Sequence, residues 1–283
     1  MIKLDVLLRL GRVSNLPTVF TNALAGCVLA DGEGNLFWTV VIATIALAFF
    51  YEGGMWLNDA FDAEIDAEQR SNRPIPNGEI GVGVVFMGGF VMLGVGVVLA
   101  ASMGRDAGLA GIALMIAIVL YNWLHKKVSY GPVLMGATRF FCYVMAACAV
   151  GDLSNAALYG ALGLFAYIIG LTYAAKQEAY DQIGSVWPLA VLALPLIYAL
   201  SLIALNPFVL LFWFAFAAVV AYALKHLFRR QPGDVPRAVV TMIAGISLYD
   251  AALIASTGEL GLALLATLGF VATMYLQRVA AGT

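Results

Sequence analysis

Ten apolar stretches follow one another along the chain, and short polar segments separate them. Most are about 17–24 residues long, which is the length that a helix needs to cross a bilayer. The pattern predicts an all-α, polytopic membrane bundle of nine to ten transmembrane helices, forming one domain over residues 1–283, with the last stretch as an extra C-terminal span. The stretches cover residues 15–31, 36–57, 80–103, 107–123, 130–150, 155–175, 185–205, 207–228, 237–257 and 260–278.

Composition supports a membrane protein. The chain is 63% hydrophobic and 11% charged, with a mean hydropathy of +0.93, whereas soluble domains average about 45–50% apolar and 25% charged residues. A net charge of −2 and the lack of a basic cluster in the sequence predict no nucleic-acid partner. The three cysteines lie in apolar stretches without metal-ligand spacing, so we expect them to be small core residues.

The distribution of basic residues predicts the orientation. With the N-terminus in the cytoplasm and ten alternating spans, thirteen of the fifteen Lys and Arg residues fall on the cytoplasmic side. This asymmetry is the one that the positive-inside rule describes. The first sixteen residues are polar and basic and lead directly into a span, which predicts no cleavable signal peptide. We therefore expect a multi-pass protein of a prokaryotic plasma (inner) membrane, with its long polar loops in the cytoplasm.

Carboxylates crowd the end of the second stretch. If its helix continues through residue 66, then Asn58, Asp59, Asp62 and Asp66 share an arc about 120° wide, with Glu52 deeper on the same face. Carboxylates held together repel one another, and a divalent cation removes that repulsion. Mg²⁺ prefers one or two carboxylates together with phosphate oxygens and water. The spacing therefore predicts a metal-bound diphosphate; the alternative is an acidic helix end exposed to solvent.

A basic segment follows the carboxylates. Pro74 and Pro76 cannot continue a helix, so the helix ends before them. Arg70 and Arg73 precede these prolines, and guanidinium groups beside metal-binding carboxylates are suited to bidentate phosphate contacts. Salt bridges and anchoring at the membrane surface are the alternative role for both.

This region resembles the first Asp-rich signature of the UbiA superfamily of intramembrane prenyltransferases, in which NDxxDxxxD precedes a short Arg-Pro segment. The matching residues are Asn58, Asp59, Asp62, Asp66, Arg70, Arg73 and Pro74. Two further segments resemble that family, and they contain Arg12, Asn15, Thr18, Thr21 and Asn22, and Tyr121 and Lys126. The resemblance extends over about residues 8–257.

The resemblance implies a bundle around a large apolar cavity that is open to the cytoplasmic side. It also implies Mg²⁺-dependent transfer of an isoprenyl group from a prenyl diphosphate to a hydrophobic acceptor, such as an aromatic ring, among membrane lipids. The implied metal ligands are Asp59, Asp62, Asp66 and Asp181. The implied catalytic residues are Asp62, Asp66, Lys176 and Glu178. The implied or candidate substrate contacts are Asn58, Asp59, Arg70, Arg73, Tyr121, Lys126, Tyr173, Asp181 and Asn22.

The second Asp-rich motif of that family is altered in this chain. Within residues 173–184 only Glu178 and Asp181 supply carboxylates, and Lys176 lies at a position where the family has acid. Lys176 either binds phosphate directly as a point charge or pairs with one of the two carboxylates and weakens diphosphate binding. The second case predicts a catalytically diverged relative that binds or helps to move a lipid or a secondary-metabolite precursor.

Glu52, Arg139 and Asp250 are charged residues that lie well inside apolar stretches. Arg139 and Asp250 are expected to form a structural pair, and Glu52 either acts on the substrate or hydrogen-bonds a neighbouring helix. An ion-coupled transporter would also use intramembrane acids such as Glu52 and Asp250. That class predicts an internal repeat of several spans, and the sequence shows none.

Overall fold

The computed structural model describes residues 4–30, 32, 35–69, 73–180 and 187–279, and the regular structure in them is helical. The twelve α-helices are α1 (Leu4–Gly11), α2 (Leu16–Leu29), α3 (Leu36–Phe61), α4 (Ala63–Gln69), α5 (Val82–Ser102), α6 (Arg105–Leu124), α7 (Gly131–Cys148), α8 (Asn155–Tyr180), α9 (Ala193–Ser201), α10 (Val209–Arg229), α11 (Asp234–Ser256) and α12 (Leu260–Val279). Short 3-10 turns occupy Val13–Asn15, Trp187–Leu192 and Leu202–Ala204.

Each of the ten apolar stretches contains helix, and the all-α membrane fold is confirmed. Among the described residues, eight helices are long and apolar enough to cross a membrane: α3, α5, α6, α7, α8, α10, α11 and α12. The first and seventh stretches form the shorter apolar segments Val13–Leu29 and Leu189–Ala204. In the seventh stretch, 3-10 turns before and after α9 shorten the α-helix.

Helix α11 lies at the centre of the bundle. Its most apolar window is 89% buried inside the protein, against 22% for α5 and for α12. Small side chains such as Ala244, Ser247 and Ala251 let neighbouring helices approach α11 closely. Exposed apolar residues such as Val98 on α5 and Leu268 on α12 cover the outer surface, as expected for a protein surrounded by lipid.

A polar network inside the bundle connects α2, α7 and α11. Arg139 donates to the side-chain oxygen of Asn22 at 2.7 Å, and the Asn22 amide donates to Asp250 at 2.9 Å. The Tyr143 hydroxyl also donates to Asp250. The expected direct pairing of Arg139 with Asp250 is therefore wrong, because the Asn22 amide lies between the two charges and hydrogen-bonds both.

Helix α12 is part of the bundle. It packs on α11, on α2 and on the Val13–Asn15 turn. Gln277 donates to Asn15 at 2.5 Å. A Cβ atom on Gly269 would lie 2.6 Å from the Thr21 side chain and 3.0 Å from Ser247 Oγ, so the glycine allows the helices to touch. The predicted C-terminal span therefore covers the contact between α2 and α11.

Candidate functional site

The acidic strip, which consists of Asn58, Asp59, Asp62 and Asp66, runs along one side of the α3–α4 junction. Helix α3 ends at Phe61, and α4 begins at Ala63. The expectation of one helix through residue 66 is therefore wrong at Asp62. Helical hydrogen bonding nevertheless crosses the junction, because Asp62 N donates to Asn58 O at 3.0 Å and Asp66 N donates to Asp62 O at 2.8 Å.

Burial separates the acidic strip from the neighbouring carboxylates. Its four side chains belong to residues that are only 3–8% exposed. Glu64 and Glu68, which the helical arc places elsewhere, are exposed. The predicted shared face is thus confirmed, and the strip points into the protein rather than into solvent.

Two arginines from distant parts of the chain meet at Asp59. Arg73 Nη1 donates to Asp59 Oδ1 at 2.7 Å, and Arg12 Nη2 donates to the same oxygen at 3.1 Å. Arg12 has φ 46° and ψ 47°, a left-handed conformation that turns the chain between α1 and the Val13–Asn15 turn. Arg73 Nη1 also lies 3.0 Å from Asp66 Oδ2, an ion pair without hydrogen-bond geometry.

Asp62 contacts basic residues that follow α6. Lys126 Nζ lies 2.9 Å and His125 Nε2 lies 3.5 Å from Asp62 Oδ2. Burial raises the pKa of Asp62, but the contacts with His125 and Lys126 outweigh burial and hold that pKa below its ordinary value. Tyr121 stacks on the His125 ring with 4.8 Å between ring centres. The segment after α6 therefore supplies a cation, Lys126, to Asp62, and Tyr121 packs against His125.

Lys176 approaches the same region from α8. Its Nζ donates to the backbone oxygen of His125 at 3.1 Å, so Lys176 contacts the segment that carries His125 and Lys126. The structure brings together Lys176 and Lys126, which are fifty positions apart in sequence. No carboxylate among the described residues pairs with Lys176.

Asparagine side chains fix the deeper end of the acidic strip. Asn58 Nδ2 donates to Asn122 Oδ1 at 3.2 Å, and Asn122 Nδ2 donates to the Gly54 carbonyl at 3.0 Å. These bonds hold α3 against α6 in the membrane, where an unpaired amide is costly. Arg12 Nη2 lies 3.3 Å from Asn58 Oδ1, so the same amide also positions an arginine.

The remaining predicted residues lie elsewhere or outside the described residues. Asn22 is fully buried two helical turns beyond Asn15 and belongs to the polar network around Asp250. Tyr173 on α8 is partly buried against the apolar core. Arg70, Asp181 and the Glu178 side chain lie outside the part of the chain that the structure describes.

The predicted metal ligands form a row rather than one cluster. Among the described residues, no group of three or more His, Cys, Asp or Glu side chains could hold a metal ion, and Asp181 lies outside them. One oxygen of Asp66 nevertheless has no hydrogen bond although it is buried. Mg²⁺ usually takes only one or two protein carboxylates and completes its coordination with phosphate and water. Asp62 and Asp66, four residues apart, fit that smaller ligand set.

Three contributors to this region were absent from the predicted site: Arg12, Asn122 and His125. In the sequence, Arg12 belongs only to a segment that resembles the family, and neither Asn122 nor His125 is predicted as a site residue. A hydrogen bond between asparagines on two membrane helices leaves no spacing signal in sequence. Of the three residues, only Arg12 had a signal in the sequence, because it lies in the family-like segment just before the first apolar stretch.

Glu52 lies two turns deeper than Asp59 and faces Gly11 on α1. One of its carboxyl oxygens is buried without a hydrogen-bond partner. A Cβ atom on Gly11 would lie 1.9 Å from the other oxygen, so the glycine makes room for the carboxyl group.

The fold and the site define an integral membrane helical bundle with a buried acidic strip and converging cations at one end. The sequence model of the UbiA prenyltransferase family matches residues 19–239. The chain therefore belongs to the UbiA prenyltransferase family.

Similar proteins agree with this assignment. The digeranylgeranylglyceryl phosphate synthase of Methanothermobacter thermautotrophicus is 25% identical over 152 residues, covering 53% of this chain and 53% of that relative. The chain thus spans about half the length of the first relatives that it matches. A solved structure of a digeranylgeranylglyceryl phosphate synthase in membranes has a TM-score of 0.67 at 18% identity, over 90% of this chain and 99% of that one.

A second solved structure shares the fold. The UbiA homologue of Archaeoglobus fulgidus bound to GPP and Mg²⁺ has a TM-score of 0.55 at 15% identity, over 95% of this chain and 99% of that one. Identities this low establish the common helical architecture, and the chemistry of this chain must be argued from its own residues.

Proposed function

We propose that this chain transfers an isoprenyl group from a prenyl diphosphate, bound with Mg²⁺ at the acidic strip, to an acceptor within the membrane. The observation that carries this proposal is the buried strip of three carboxylates, at the end of a membrane span, in contact with cations from three other segments. Carboxylates and cations in that position are expensive to bury and are functional by default. Their use here is to hold a charged diphosphate at the edge of an apolar protein.

The charges fit a metal-bound diphosphate. Asp59, Asp62 and Asp66 are matched by Arg12, Arg73 and Lys126, and Lys176 adds one further positive charge. A prenyl diphosphate carries more negative charge than one Mg²⁺ neutralises. The extra positive charge of Lys176 therefore balances negative charge that remains on the Mg²⁺-bound diphosphate. This balance supports direct phosphate binding by Lys176.

Each charged residue has a separate task in this proposal. When bound, Mg²⁺ at Asp62 and Asp66 stabilises negative charge on the departing diphosphate. Asp59 positions the guanidinium groups of Arg12 and Arg73, whose remaining N–H donors then bind phosphate oxygens. The apolar helices around the site exclude water from the allylic cation that ionisation leaves behind.

The acceptor class is the finer part of the proposal. The M. thermautotrophicus relative is named for a glyceryl phosphate that carries geranylgeranyl groups. We therefore propose a glyceryl phosphate lipid as the first acceptor to test, and a hydrophobic aromatic compound as the second.

One observation favours a second function. Lys176, which replaces acid in the altered second motif, donates to the backbone of His125 and has no described carboxylate partner. If Lys176 keeps this contact when a prenyl diphosphate is bound, Lys176 does not bind the phosphate and does not assist its departure. The chain then binds a prenyl diphosphate without cleaving it and acts as a lipid-binding or lipid-moving protein.

The test measures binding and diphosphate release separately. Purified full-length protein is incubated with labelled geranyl, farnesyl and geranylgeranyl diphosphates, with and without Mg²⁺, in the presence of a glyceryl phosphate lipid or of a hydrophobic aromatic acceptor. Transfer predicts Mg²⁺-dependent diphosphate release that is lost in Asp62→Asn and retained in the matched control Glu64→Gln, whose carboxylate is exposed. Binding without release supports the second function. If none of the three diphosphates binds, both functions are refuted.

A further inference from the structure

A groove separate from the acidic strip opens between α10, α11 and α12. Its volume is about 490 Å³, within the range of about 300–1,000 Å³ that is usual for ligand pockets. The side chains that carry the following argument are Val219, Tyr222, Arg237, Phe270, Met274 and Arg278.

The groove is polar at one end and apolar at the other. Phe270, Met274 and Arg278 recur every four residues, so they lie along one face of α12. From Phe270 to Arg278, eight residues further on, the face extends for roughly 12 Å. The arginine lies at the same end of the bundle as the acidic strip, since the adjacent Gln277 donates to Asn15. Arg237 lies in the first turn of α11 and lines the same end of the groove.

The two arginines have guanidinium donors to spare. Arg278 makes no hydrogen bond or ion pair with any described residue. Arg237 Nη1 lies 3.9 Å from Asp234 Oδ1. That carboxylate is already bound by Arg229 through two hydrogen bonds of 2.8 and 2.6 Å. At the rim of the groove, Arg278 therefore has no anion partner among the described residues, and Arg237 has only a distant share of a carboxylate that Arg229 already binds.

We propose that this groove binds one anionic glycerophospholipid of the surrounding bilayer. The phosphate group lies between Arg237 and Arg278, and an acyl chain lies along Phe270 and Met274. Arginine pairs phosphate oxygens bidentately, and basic pockets between membrane helices recognise anionic head groups. A zwitterionic lipid should bind more weakly between the two arginines, because the positive charge of its head group offsets the charge of its phosphate.

The test uses native mass spectrometry of the delipidated full-length protein in detergent, with phosphatidylglycerol or phosphatidylcholine added. We expect one saturable phosphatidylglycerol site that phosphatidylcholine fills far less readily. The double substitution Arg237→Gln/Arg278→Gln should weaken phosphatidylglycerol binding roughly 30-fold, as two arginine contacts near a membrane surface imply. Both residues are exposed, so folding should survive.

Two further variants distinguish a specific lipid-binding site from nonspecific electrostatic attraction of anionic lipid. Arg105→Gln removes an exposed arginine at the start of α6, outside the groove, and should leave phosphatidylglycerol binding unchanged. Ala218→Trp narrows the groove from its exposed edge while both arginines remain, and it should reduce binding as strongly as the double substitution.

Any of three results overturns the proposal. The first is phosphatidylglycerol binding that does not saturate at one molecule. The second is equal loss in Arg105→Gln and in the double variant, or no loss in Ala218→Trp. The third is displacement of the lipid by glycerol 3-phosphate at concentrations similar to those of phosphatidylglycerol itself, which would indicate a site for soluble anions.

Discussion

Arg73 connects two carboxylates of the acidic strip, and its removal gives the sharpest test of the site. Its Nη1 atom lies 2.7 Å from Asp59 Oδ1 and 3.0 Å from Asp66 Oδ2. Asp59 keeps Arg12 as a partner at 3.1 Å when Arg73 is removed, whereas Asp66 loses its only ion pair among the described residues. Substitution of Arg73 by glutamine removes the positive charge. Substitution by lysine retains the charge but lacks the planar guanidinium group that can donate two parallel hydrogen bonds.

The magnitude follows from one charge-assisted hydrogen bond to phosphate. Such a bond contributes about 1.5–3 kcal/mol. Arg73→Gln should therefore lower kcat/KM roughly 10- to 150-fold, and Arg73→Lys should lose less because its charge remains. The Asp66 side chain is 5% exposed. Leaving it unpaired should cost about 1–3 kcal/mol of stability in Arg73→Gln.

The assay follows diphosphate release with Mg²⁺ and thermal unfolding in the same detergent. The double variant Asp66→Asn/Arg73→Gln leaves no unpaired carboxylate, so it should recover stability while kcat/KM stays low. Arg105→Gln is the matched control and should match the wild type in both measurements. The reasoning is refuted if Arg73→Gln loses less than about threefold in kcat/KM, or if the double variant restores it.

Three further predictions concern stability in detergent. Asn122→Leu should lower the free energy of unfolding by about 1–2 kcal/mol, because Asn58 loses a buried acceptor. The carboxylate of Asp62, whose pKa is lowered in the folded protein, stabilises the fold above its unfolded pKa of about 4. The stability difference between wild type and Asp62→Asn should therefore shrink as the pH falls from about 4 through the lowered pKa of Asp62. Gly26→Ala should cost about 1–3 kcal/mol, because its new Cβ would lie 2.7 Å from Ala146 Cβ and 2.9 Å from the Tyr143 carbonyl.

Each of these predictions has a contrary outcome. An Asn122→Leu protein as stable as the wild type would mean that the amide contact contributes nothing. A pH-independent difference for Asp62→Asn would contradict the stabilising contacts with His125 and Lys126. The control for Gly26 is Gly94→Ala, where a Cβ meets no atom within 4 Å, so that its stability should stay the same or rise slightly. Equal effects of the two glycine substitutions would refute the close contact of α2 with α7.

Elements that depend on local pattern were predictable from sequence. The ten apolar stretches all contain helix, because a chain in lipid must satisfy its backbone hydrogen bonds within each span. The shared face of Asn58, Asp59, Asp62 and Asp66 followed from the helical repeat alone, whereas its burial became visible only in the structure. The distribution of Lys and Arg predicts a cytoplasmic orientation, which stays a prediction. The family assignment followed from the same acidic residues and was confirmed.

The partners of the acidic strip were decided by tertiary structure. Arg12 reaches Asp59 across forty-seven positions through a left-handed turn, and Lys176 reaches the backbone of His125 across fifty-one. Neither contact follows from periodicity, since it depends on which helices pack together at one end of the bundle. The same holds for Asn22, whose amide separates the two charges that the sequence suggested would pair directly.

The sequence by itself thus determined which residues are helical, which faces carry charge and to which family the chain belongs. Tertiary structure alone decided which cations neutralise each carboxylate and that α12 packs against α2 and α11. The physical reason is range: helical periodicity acts within a few residues, whereas charge pairing in a low-dielectric bundle is set by the packing of distant segments.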